Sequence, residues 1–243
     1  MASTIQSRQP AYRIYYVSTA VLGGAAMAYS WYQVFRMGAD YRWLMLTALT
    51  LIAASFTLKI PGTGAKISIA DTFVLITMVF FGPAAGCLTA ALEALAGSMR
   101  GSTSARRWKF ALFNTSNVAL CAYLSGLLYF LVLGRDPLYQ DPGVSLAGLF
   151  PAAALLALAY YLLNSVTVAA IVALESGKSI FRFWLDHFVW HSINYFACTF
   201  GAVLIAVHSS SITPFHLAAA GMVVTIYCAY RNILGKLALI RSR

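Results

Sequence analysis

Glu93 is the residue of this sequence whose position most strongly suggests chemistry. It stands in the apolar run Leu88–Ala96, where a carboxylate is costly to bury and by default suggests function. On a helix it shares a face with residues at helical spacing, namely Thr89, Ala96, Gly97 and Arg100. This face predicts a site for a ligand ammonium group, a cation or a proton. The alternative is a carboxylate held by a neighbouring helix, through Arg100 or an Asn.

Further polar residues interrupt other apolar stretches. Asp71 opens one of them, and it either caps a helix N-terminus or binds the same ligand. Asn114, Asn117 and Asn164 lie inside later stretches, where hydrogen bonding between helices is their expected use. The predicted ligand-binding set is Glu93, Asp71, Thr89, Arg100, Asn114 and Asn117.

Two histidines have the spacing of a metal or haem site. His187 and His191 stand at i, i+4, which places both on one helical face, with Asn194 and Tyr195 a turn further. The sequence shows no HExxH motif and no third ligand, so we predict no metal and no cofactor. It also shows no pairing of a nucleophile with a base, and we therefore expect a protein that is not an enzyme.

Composition indicates that membrane helices position these residues. Hydrophobic residues make up 60% of the 243 residues and charged residues only 10%, whereas soluble domains carry about 25% charged residues. Apolar stretches separated by short charged turns fill the chain and leave no room for a soluble domain. The sequence therefore predicts an all-α fold in which residues 1–243 form a single transmembrane domain.

The hydrophobic pattern predicts about eight spans, since a spanning helix needs about 20 apolar residues. The spans are 13–35, 41–60, 67–82, 84–99, 108–134, 146–174, 187–208 and 212–234. Gly82-Pro83 splits the two shortest, which form either two tightly packed crossings or a re-entrant hairpin. Both options place this hairpin at the centre of the bundle, because irregular backbone at membrane depth must be shielded. Residues 177–187 predict an interfacial helix.

The basic residues predict the orientation. Fourteen of the 17 Lys and Arg fall on the side of the N-terminus, and only Arg36, Arg42 and Arg135 fall on the other. By the positive-inside rule, both termini are cytoplasmic and the protein lies in a bacterial inner membrane. The net charge of +10 then reflects membrane orientation, and we expect no binding of nucleic acid.

Two stripes of small residues predict close helix packing. Ala20, Gly24 and Ala28 recur every four residues, and so do Gly82, Gly86, Ala90, Ala94 and Ser98. Such faces let helix backbones approach closely. They serve either packing within the chain or, for the first stripe, docking of a membrane or cytoplasmic protein partner.

The stretch Lys59–Arg100 resembles a known class of bacterial membrane domain. It reads KIPGTGAKISIADTFVLITMVFFGPAAGCLTAALEALAGSMR, and Leu112-Phe113-Asn114 and Ser125-Gly126 continue the similarity. It is similar to the multi-pass input domains that precede GGDEF or HD-GYP modules in cyclic-dinucleotide signalling proteins. The sequence ends at Arg243 without such a module. The resemblance implies a stand-alone sensory input domain that signals through a separate partner.

A second similarity is to the S-components of energy-coupling-factor vitamin transporters. Ile67–Asp71, followed by Phe81-Gly82-Pro83 and a Gly/Ala-rich helix, looks like their second and third helices, and the Ala20/Gly24/Ala28 stripe looks like their docking face. S-components usually have six spans, fewer than predicted here.

The preferred hypothesis is a non-enzymatic sensor that lies in the lipid bilayer and binds an unidentified small molecule within the helix bundle. A transporter's substrate-binding subunit is the first alternative. A structural subunit of a larger membrane complex, with no pocket near Glu93, is the second.

Overall fold

The apolar segments of this chain fold into α-helices in its computed structural model. The structure describes residues 9–36, 38, 41–54, 57–59, 66–68, 70–99, 105–138, 140, 145–189 and 191–208. The described helices are α1 (Gln9–Arg36), α2 (Tyr41–Ala53), α3 (Ala70–Phe81), α4 (Pro83–Met99), α5 (Ala105–Leu133), α6 (Leu146–Ser176), α7 (Ile180–Phe188) and α8 (His191–His208). Two short strands, β1 (Thr57–Lys59) and β2 (Lys66–Ser68), lie between α2 and α3.

Helices α5 and α6 are long and apolar enough to cross a membrane, over Trp108–Leu133 and Gly148–Ser176. Ser145 caps the N-terminus of α6, where its side chain accepts a hydrogen bond from the Gly148 N–H at 3.2 Å. Gly177 ends it in the left-handed conformation that glycine adopts without strain. The chain is therefore a membrane protein, and the helices predicted at 108–134 and 146–174 are confirmed.

The prediction of one span over 41–60 is wrong, because α2 ends at Ala53. Residues 57–60 and 66–69 alternate polar with apolar side chains, which is the period of a strand and not of a helix. The two strands pair antiparallel, with Leu58 opposite Ile67. The glycine-rich segment 61–65, which joins them in the sequence, lies outside the described residues. Apart from this hairpin, the described fold is all-α.

Helices α3 and α4 form the predicted hairpin. The break falls at Gly82, whose φ of 92° favours glycine, and α3 begins at Ala70, three residues later than predicted. At about 1.5 Å per residue, α3 is only about 18 Å long, well short of the ~30 Å hydrocarbon core. Every residue from Phe73 to Phe80 is buried, which confirms a central position for this helix.

The segment that follows α5 packs on the turn of this hairpin and supplies a hydrogen-bond donor to it. The Val79 carbonyl would bond the N–H of residue 83 in a continuous helix, but Pro83 has no N–H. The Leu138 N–H donates to that carbonyl instead, at 3.2 Å. The Pro137 ring lies so near Gly82 that an added Cβ would come within 3.2 Å of it.

The span predicted over 187–208 is helical over most of its length, as α8 (His191–His208), but it begins four residues later than predicted. Helix α7 ends at Phe188, and α8 begins at His191 with a bend of 60° between the two axes. No residue of α7 is fully buried, whereas α8 buries Asn194, Cys198, Ala202, Val203 and Ala206. A single straight helix could not follow the bundle surface first and then enter the core. The eighth predicted span, 212–234, lies outside the described residues.

Several basic residues gather at one end of the bundle. The Tyr16 hydroxyl of α1 donates to the Lys109 carbonyl near the start of α5, at 2.9 Å. The Tyr15 hydroxyl of α1 donates to the Thr167 carbonyl of α6 at 3.4 Å. These contacts bring the start of α1, the start of α5 and the C-terminal half of α6 together. We call this the basic end, with the exposed cations Arg13, Lys109, Lys178 and Arg182.

The two small-residue stripes pack differently. All five residues of the stripe that runs from Gly82 to Ser98 are buried, and a Cβ added at Gly86 would lie 2.7 Å from the Met78 Cβ. In α1, however, Gly23 packs against the Ser116 backbone. Gly24 is only partly buried, with nothing within 4 Å of an added Cβ, and Ala28 is exposed. The face of α1 that packs against α5 therefore lies beside the predicted stripe.

Candidate ligand site in the bundle core

Two asparagines join the two membrane-spanning helices deep in the bundle. Asn117 of α5 is fully buried, and its Nδ2 donates to Oδ1 of Asn164 in α6 at 2.7 Å. At about 1.5 Å per residue, Asn117 lies about 13 Å from the Trp108 end of α5 and about 24 Å from the Leu133 end. This amide pair therefore lies well inside the apolar part of the protein. The expected hydrogen bond between helices is confirmed for both residues.

The amide pair extends to α8 through a tyrosine. Asn164 Nδ2 donates to the Tyr195 hydroxyl at 2.7 Å. The Tyr195 ring packs edge-on against Tyr160, with 5.2 Å between the ring centroids, and Tyr160 is only 3% exposed. On the other side, the Cys121 thiol donates to Asn117 Oδ1 at 3.5 Å. A continuous hydrogen-bonded chain thus crosses from α5 through α6 to α8.

Asp71 of α3 also contacts α8. It lies in the first turn of α3, where a carboxylate is favoured by the helix dipole. Its Oδ2 accepts a hydrogen bond from Nδ2 of Asn194 at 2.7 Å. Asn194 directly precedes Tyr195, so two hydrogen-bonded systems meet on neighbouring residues of α8. Asp71 therefore links α3 to α8 in addition to its favourable place at the start of a helix.

Glu93 lies near the same group. It is partly buried in α4, and its carboxylate is close enough to the hydroxyls of Tyr160 and Tyr195 for its charge to act on both. The Asp71 carboxylate acts on the same two hydroxyls. Two of the predicted residues, Glu93 and Asp71, thus lie within electrostatic range of one pair of tyrosines. We call Asp71, Glu93, Asn117, Asn164, Asn194, Tyr160 and Tyr195 the core polar group.

Thr89 does not belong to the core polar group, contrary to the prediction that it lines one site with Glu93. It is fully buried, and its Oγ1 accepts a hydrogen bond from Trp43 Nε1 of α2 at 3.1 Å. The Thr47 and Thr89 hydroxyls lie 2.9 Å apart. Thr89 lies one turn of α4 before Glu93, but its side chain contacts α2. Its hydroxyl therefore holds α2 against α4.

Asn114 and Arg100 complete the predicted set. Asn114 Nδ2 donates to the Ser98 hydroxyl at 3.1 Å and so ties α5 to α4, nearer the basic end than Asn117. Arg100 lies outside the described residues. Of the six predicted positions, the structure therefore places Asp71, Glu93 and Asn117 in the core polar group, and Thr89 and Asn114 at separate helix contacts.

The prediction that His187 and His191 share one helical face is wrong. They belong to α7 and α8, which the bend separates. His187 is exposed, with Nδ1 2.9 Å from the Phe183 carbonyl and its ring stacked on Phe183. His191 Nδ1 is buried without a hydrogen-bond partner. Within the described part of the chain, no three His, Cys, Asp or Glu side chains cluster as a metal site would require.

Sequence reasoning missed three members of the core polar group. Asn194 and Tyr195 were noted only as neighbours of the histidines, and Tyr160 was not singled out. A signal was present, since Tyr160 precedes Asn164 by four residues in an apolar span and so shares its helical face. The pairing of Asp71 with Asn194 joins residues 123 positions apart, which no local pattern could show.

No protein-family model, no curated protein and no solved structure matches this chain. The two family resemblances therefore rest on their sequence motifs alone.

The chemistry of the core polar group is suited to binding. The group offers amide and phenol hydrogen-bond donors, amide oxygens as acceptors, and two carboxylates. Buried amides and phenols fix the orientation of a bound molecule by directional hydrogen bonds. Carboxylates favour a cationic group or a proton. Because the members come from five helices, a bound molecule would touch most of the bundle at once.

Proposed function

We propose that this protein is a non-enzymatic, multi-pass membrane protein of the bacterial inner membrane that binds a small molecule at the core polar group. It acts as a sensory input domain, and both termini face the cytoplasm. The observation that carries the proposal is the buried chain of hydrogen bonds from Asn117 through Asn164 to Tyr195. The hydrogen bond from Asn194 to the Asp71 carboxylate lies on the neighbouring residue of α8.

The core polar group carries a free-energy cost that its hydrogen bonds have to offset. A hydrogen bond between helices in a membrane contributes only about 0.6 kcal/mol on average. A carboxylate at a helix centre costs about 2.5–3.5 kcal/mol, which applies to Glu93 of α4, whereas Asp71 lies in the first turn of α3 and accepts a hydrogen bond from Asn194. Apolar residues would hold the helices together at lower cost than this group of amides and carboxylates. Binding a ligand, a cation or a proton is a reason to keep them.

Interfacial aromatic residues support the multi-pass arrangement. Helix α1 carries Tyr12 and Tyr16 at the basic end and the exposed Trp31 and Tyr32 near its other end. Tyr and Trp at both ends are typical of a helix that crosses the bilayer. The 15 positions from Tyr16 to Trp31 correspond to about 23 Å of helix. With the cations gathered at one end, the positive-inside rule assigns the basic end to the cytoplasm.

One observation favours the transporter alternative. Gly24 of α1 has open space where a Cβ would stand, and Ala28 is exposed beside it. Small residues on an outer face let a second helix approach closely. A substrate-binding subunit would use such a face to dock on its transporter module, whereas an isolated sensor needs no such partner in the membrane.

Thermal unfolding of the purified protein in detergent tests the binding proposal. The protein is screened against small molecules grouped by charge, with intrinsic tryptophan fluorescence as the signal. A ligand present at 100 times its Kd stabilises the folded state by about 2.7 kcal/mol. We expect at least one compound to raise the Tm, and we expect Asp71→Asn and Glu93→Gln to lose that increase.

Thr89→Val is the matched control. It removes a buried hydroxyl from the contact with Trp43 and Thr47, so it lowers the Tm of the free protein. Because Thr89 lies outside the core polar group, this variant keeps the full increase caused by the ligand. A Glu93→Gln variant that melts early yet keeps the increase would refute the ligand role of Glu93 and favour a structural carboxylate.

A further inference from the structure

Helix α7 covers one strip of α6 as a single layer. Trp184 Nε1 donates to Ser165 Oγ at 2.8 Å, and the Tyr161 hydroxyl donates to the Phe188 carbonyl at 3.2 Å. Tyr161 and Ser165 are only 5% and 3% exposed, whereas no residue of α7 is fully buried. Helix α7 is therefore the outermost layer over these two residues of α6.

The strip that α7 covers borders the core polar group. Tyr161 and Ser165 each directly follow a member of that group in α6, so they lie one step around the helix from it. The Tyr161 ring packs on Trp184 of α7, with 6.0 Å between the ring centroids, and on Tyr195 of α8, with 5.8 Å between them. A single side chain therefore separates α7 from the core polar group.

The amides and phenols of the core polar group differ in their exposure. Asn117, Asn194 and Tyr160 are buried, whereas Asn164 and Tyr195 are each exposed in part. Asn164 bonds to Tyr195, and the Tyr195 ring contacts the tyrosine that α7 covers. A molecule that approaches these hydrogen-bonding groups therefore meets Asn164 and Tyr195 first, beside α7.

Helix α7 has a break in the helix at each end. Gly177, which precedes it, has a φ of 72°, a conformation that glycine adopts without strain. After Phe188, a bend of 60° separates α7 from α8. Segments with few buried contacts open at the lowest free energy, and α7 buries no residue completely, whereas α8 buries several. Helix α7 can therefore swing away while α6 and α8 stay packed.

We propose that α7 is a flap that opens toward the cytoplasm and admits a small molecule to the core polar group. This inference rests on the proposed function, because the flap controls access to the same ligand site. Helix α7 runs from the basic end, where Lys178 precedes it, along α6 to the depth of Tyr161. The bonds of Trp184 to Ser165 and of Tyr161 to Phe188 hold the flap closed. The ligand therefore enters from the cytoplasmic side.

Cys121 is a native reporter of access to the site. It is buried, and its thiol donates to Asn117 Oδ1 in the core polar group. The probe is a methanethiosulfonate that carries a trimethylammonium group, which reacts with thiols and does not cross a bilayer. It is added to right-side-out or inside-out vesicles, and mass spectrometry of the peptide that contains Cys121 gives the rate of modification. We expect modification from the cytoplasmic side, and modification from the external side alone would overturn the proposal.

Variants that loosen the flap should speed this reaction. Trp184→Phe keeps an aromatic ring but removes the hydrogen bond to Ser165. A neutral hydrogen bond is worth about a fivefold change in an equilibrium, so the open fraction and the rate should rise about fivefold. Ser165→Ala removes the other partner of the same bond and should give a similar rise. Thr89→Val is the matched control, because it loosens the separate contact between α2 and α4 and should leave the rate unchanged.

Three results would overturn the flap. They are an unchanged rate in both loosened variants, an equal rise in Thr89→Val, and the absence of modification from either side. The increase in Tm caused by a ligand is a separate measurement. If that increase persists while the rate does not depend on α7, the binding site stands and the flap falls. If the rate depends on α7 but no compound raises the Tm, the flap stands and the proposed function falls.

Discussion

The contact between α1 and α5 gives the sharpest test of the packing, because two adjacent glycines differ in their surroundings. A Cβ added at Gly23 would overlap the Ser116 carbonyl, which belongs to the backbone and cannot rotate away. A Cβ added at Gly24 meets no atom within 4 Å. Gly23→Ala and Gly24→Ala therefore make the same chemical change in opposite environments.

The two substitutions should change the free energy of unfolding in opposite directions. Overpacking of a well-packed contact costs about 1–3 kcal/mol. Replacing Gly by Ala in a helix contributes about 0.5–1 kcal/mol, since Ala loses less conformational freedom on folding. Gly23→Ala therefore destabilises the bundle by up to about 2.5 kcal/mol net, whereas Gly24→Ala stabilises it by up to about 1 kcal/mol.

Thermal unfolding in detergent measures this difference. For a protein of this size, 1 kcal/mol corresponds to about 2–4 °C in the Tm. We expect Gly23→Ala to lower the Tm by up to about 10 °C and Gly24→Ala to raise it by a few degrees at most. Equal shifts for the two variants, or a lower Tm for Gly24→Ala alone, would show that the predicted small-residue stripe packs against α5 after all.

Three further predictions address the core polar group, α7 and the orientation. Tyr195→Phe should lower the free energy of unfolding by about 0.6–1.7 kcal/mol, the range for hydrogen bonds between membrane helices. A double-mutant cycle with Asn164→Leu should show coupling between the two side chains. Additive effects would mean that they do not interact. Trp184→Phe should lower the free energy of unfolding by about 1 kcal/mol, because it removes the hydrogen bond from α7 to α6. We expect faster proteolysis near α7 in this variant. Unchanged proteolysis would contradict the packing of α7 on α6. Lys178→Cys should react with an impermeant maleimide only from the cytoplasmic side and Asp136→Cys only from outside, and the reverse pattern would overturn the orientation.

The sequence predicted best those features that depend on long local patterns. Helices α5 and α6 were predicted within a few residues because uninterrupted apolar runs leave few alternatives to a spanning helix. The break at Gly82 was also predicted, since a glycine followed by a proline ends a helix. A run of apolar residues alone did not reveal where α2 ends, because hydrophobicity does not distinguish a helix end from the strand that follows it.

The candidate site was predicted only in part, for a different reason. The cost of burying a carboxylate identified Asp71 and Glu93, and that cost can be read from each residue separately. Their common neighbours, Tyr160 and Tyr195, depend on how α6 and α8 pack, which the local pattern of each helix does not encode. Thr89 is a different case. It lies one helical turn from Glu93, as its spacing predicts, but its hydroxyl accepts a hydrogen bond from Trp43 of α2.

The hydrogen bond from Leu138 to the Val79 carbonyl has a consequence for biosynthesis. Because Pro83 cannot supply an N–H, the turn between α3 and α4 carries an unsatisfied carbonyl from the moment the ribosome releases it. In hydrocarbon, such a group costs several kcal/mol. Its partner is synthesised only after the whole of α5. The hairpin can therefore complete its hydrogen bonding only once α5 and the segment after it have been synthesised, although both of its helices precede them in the chain.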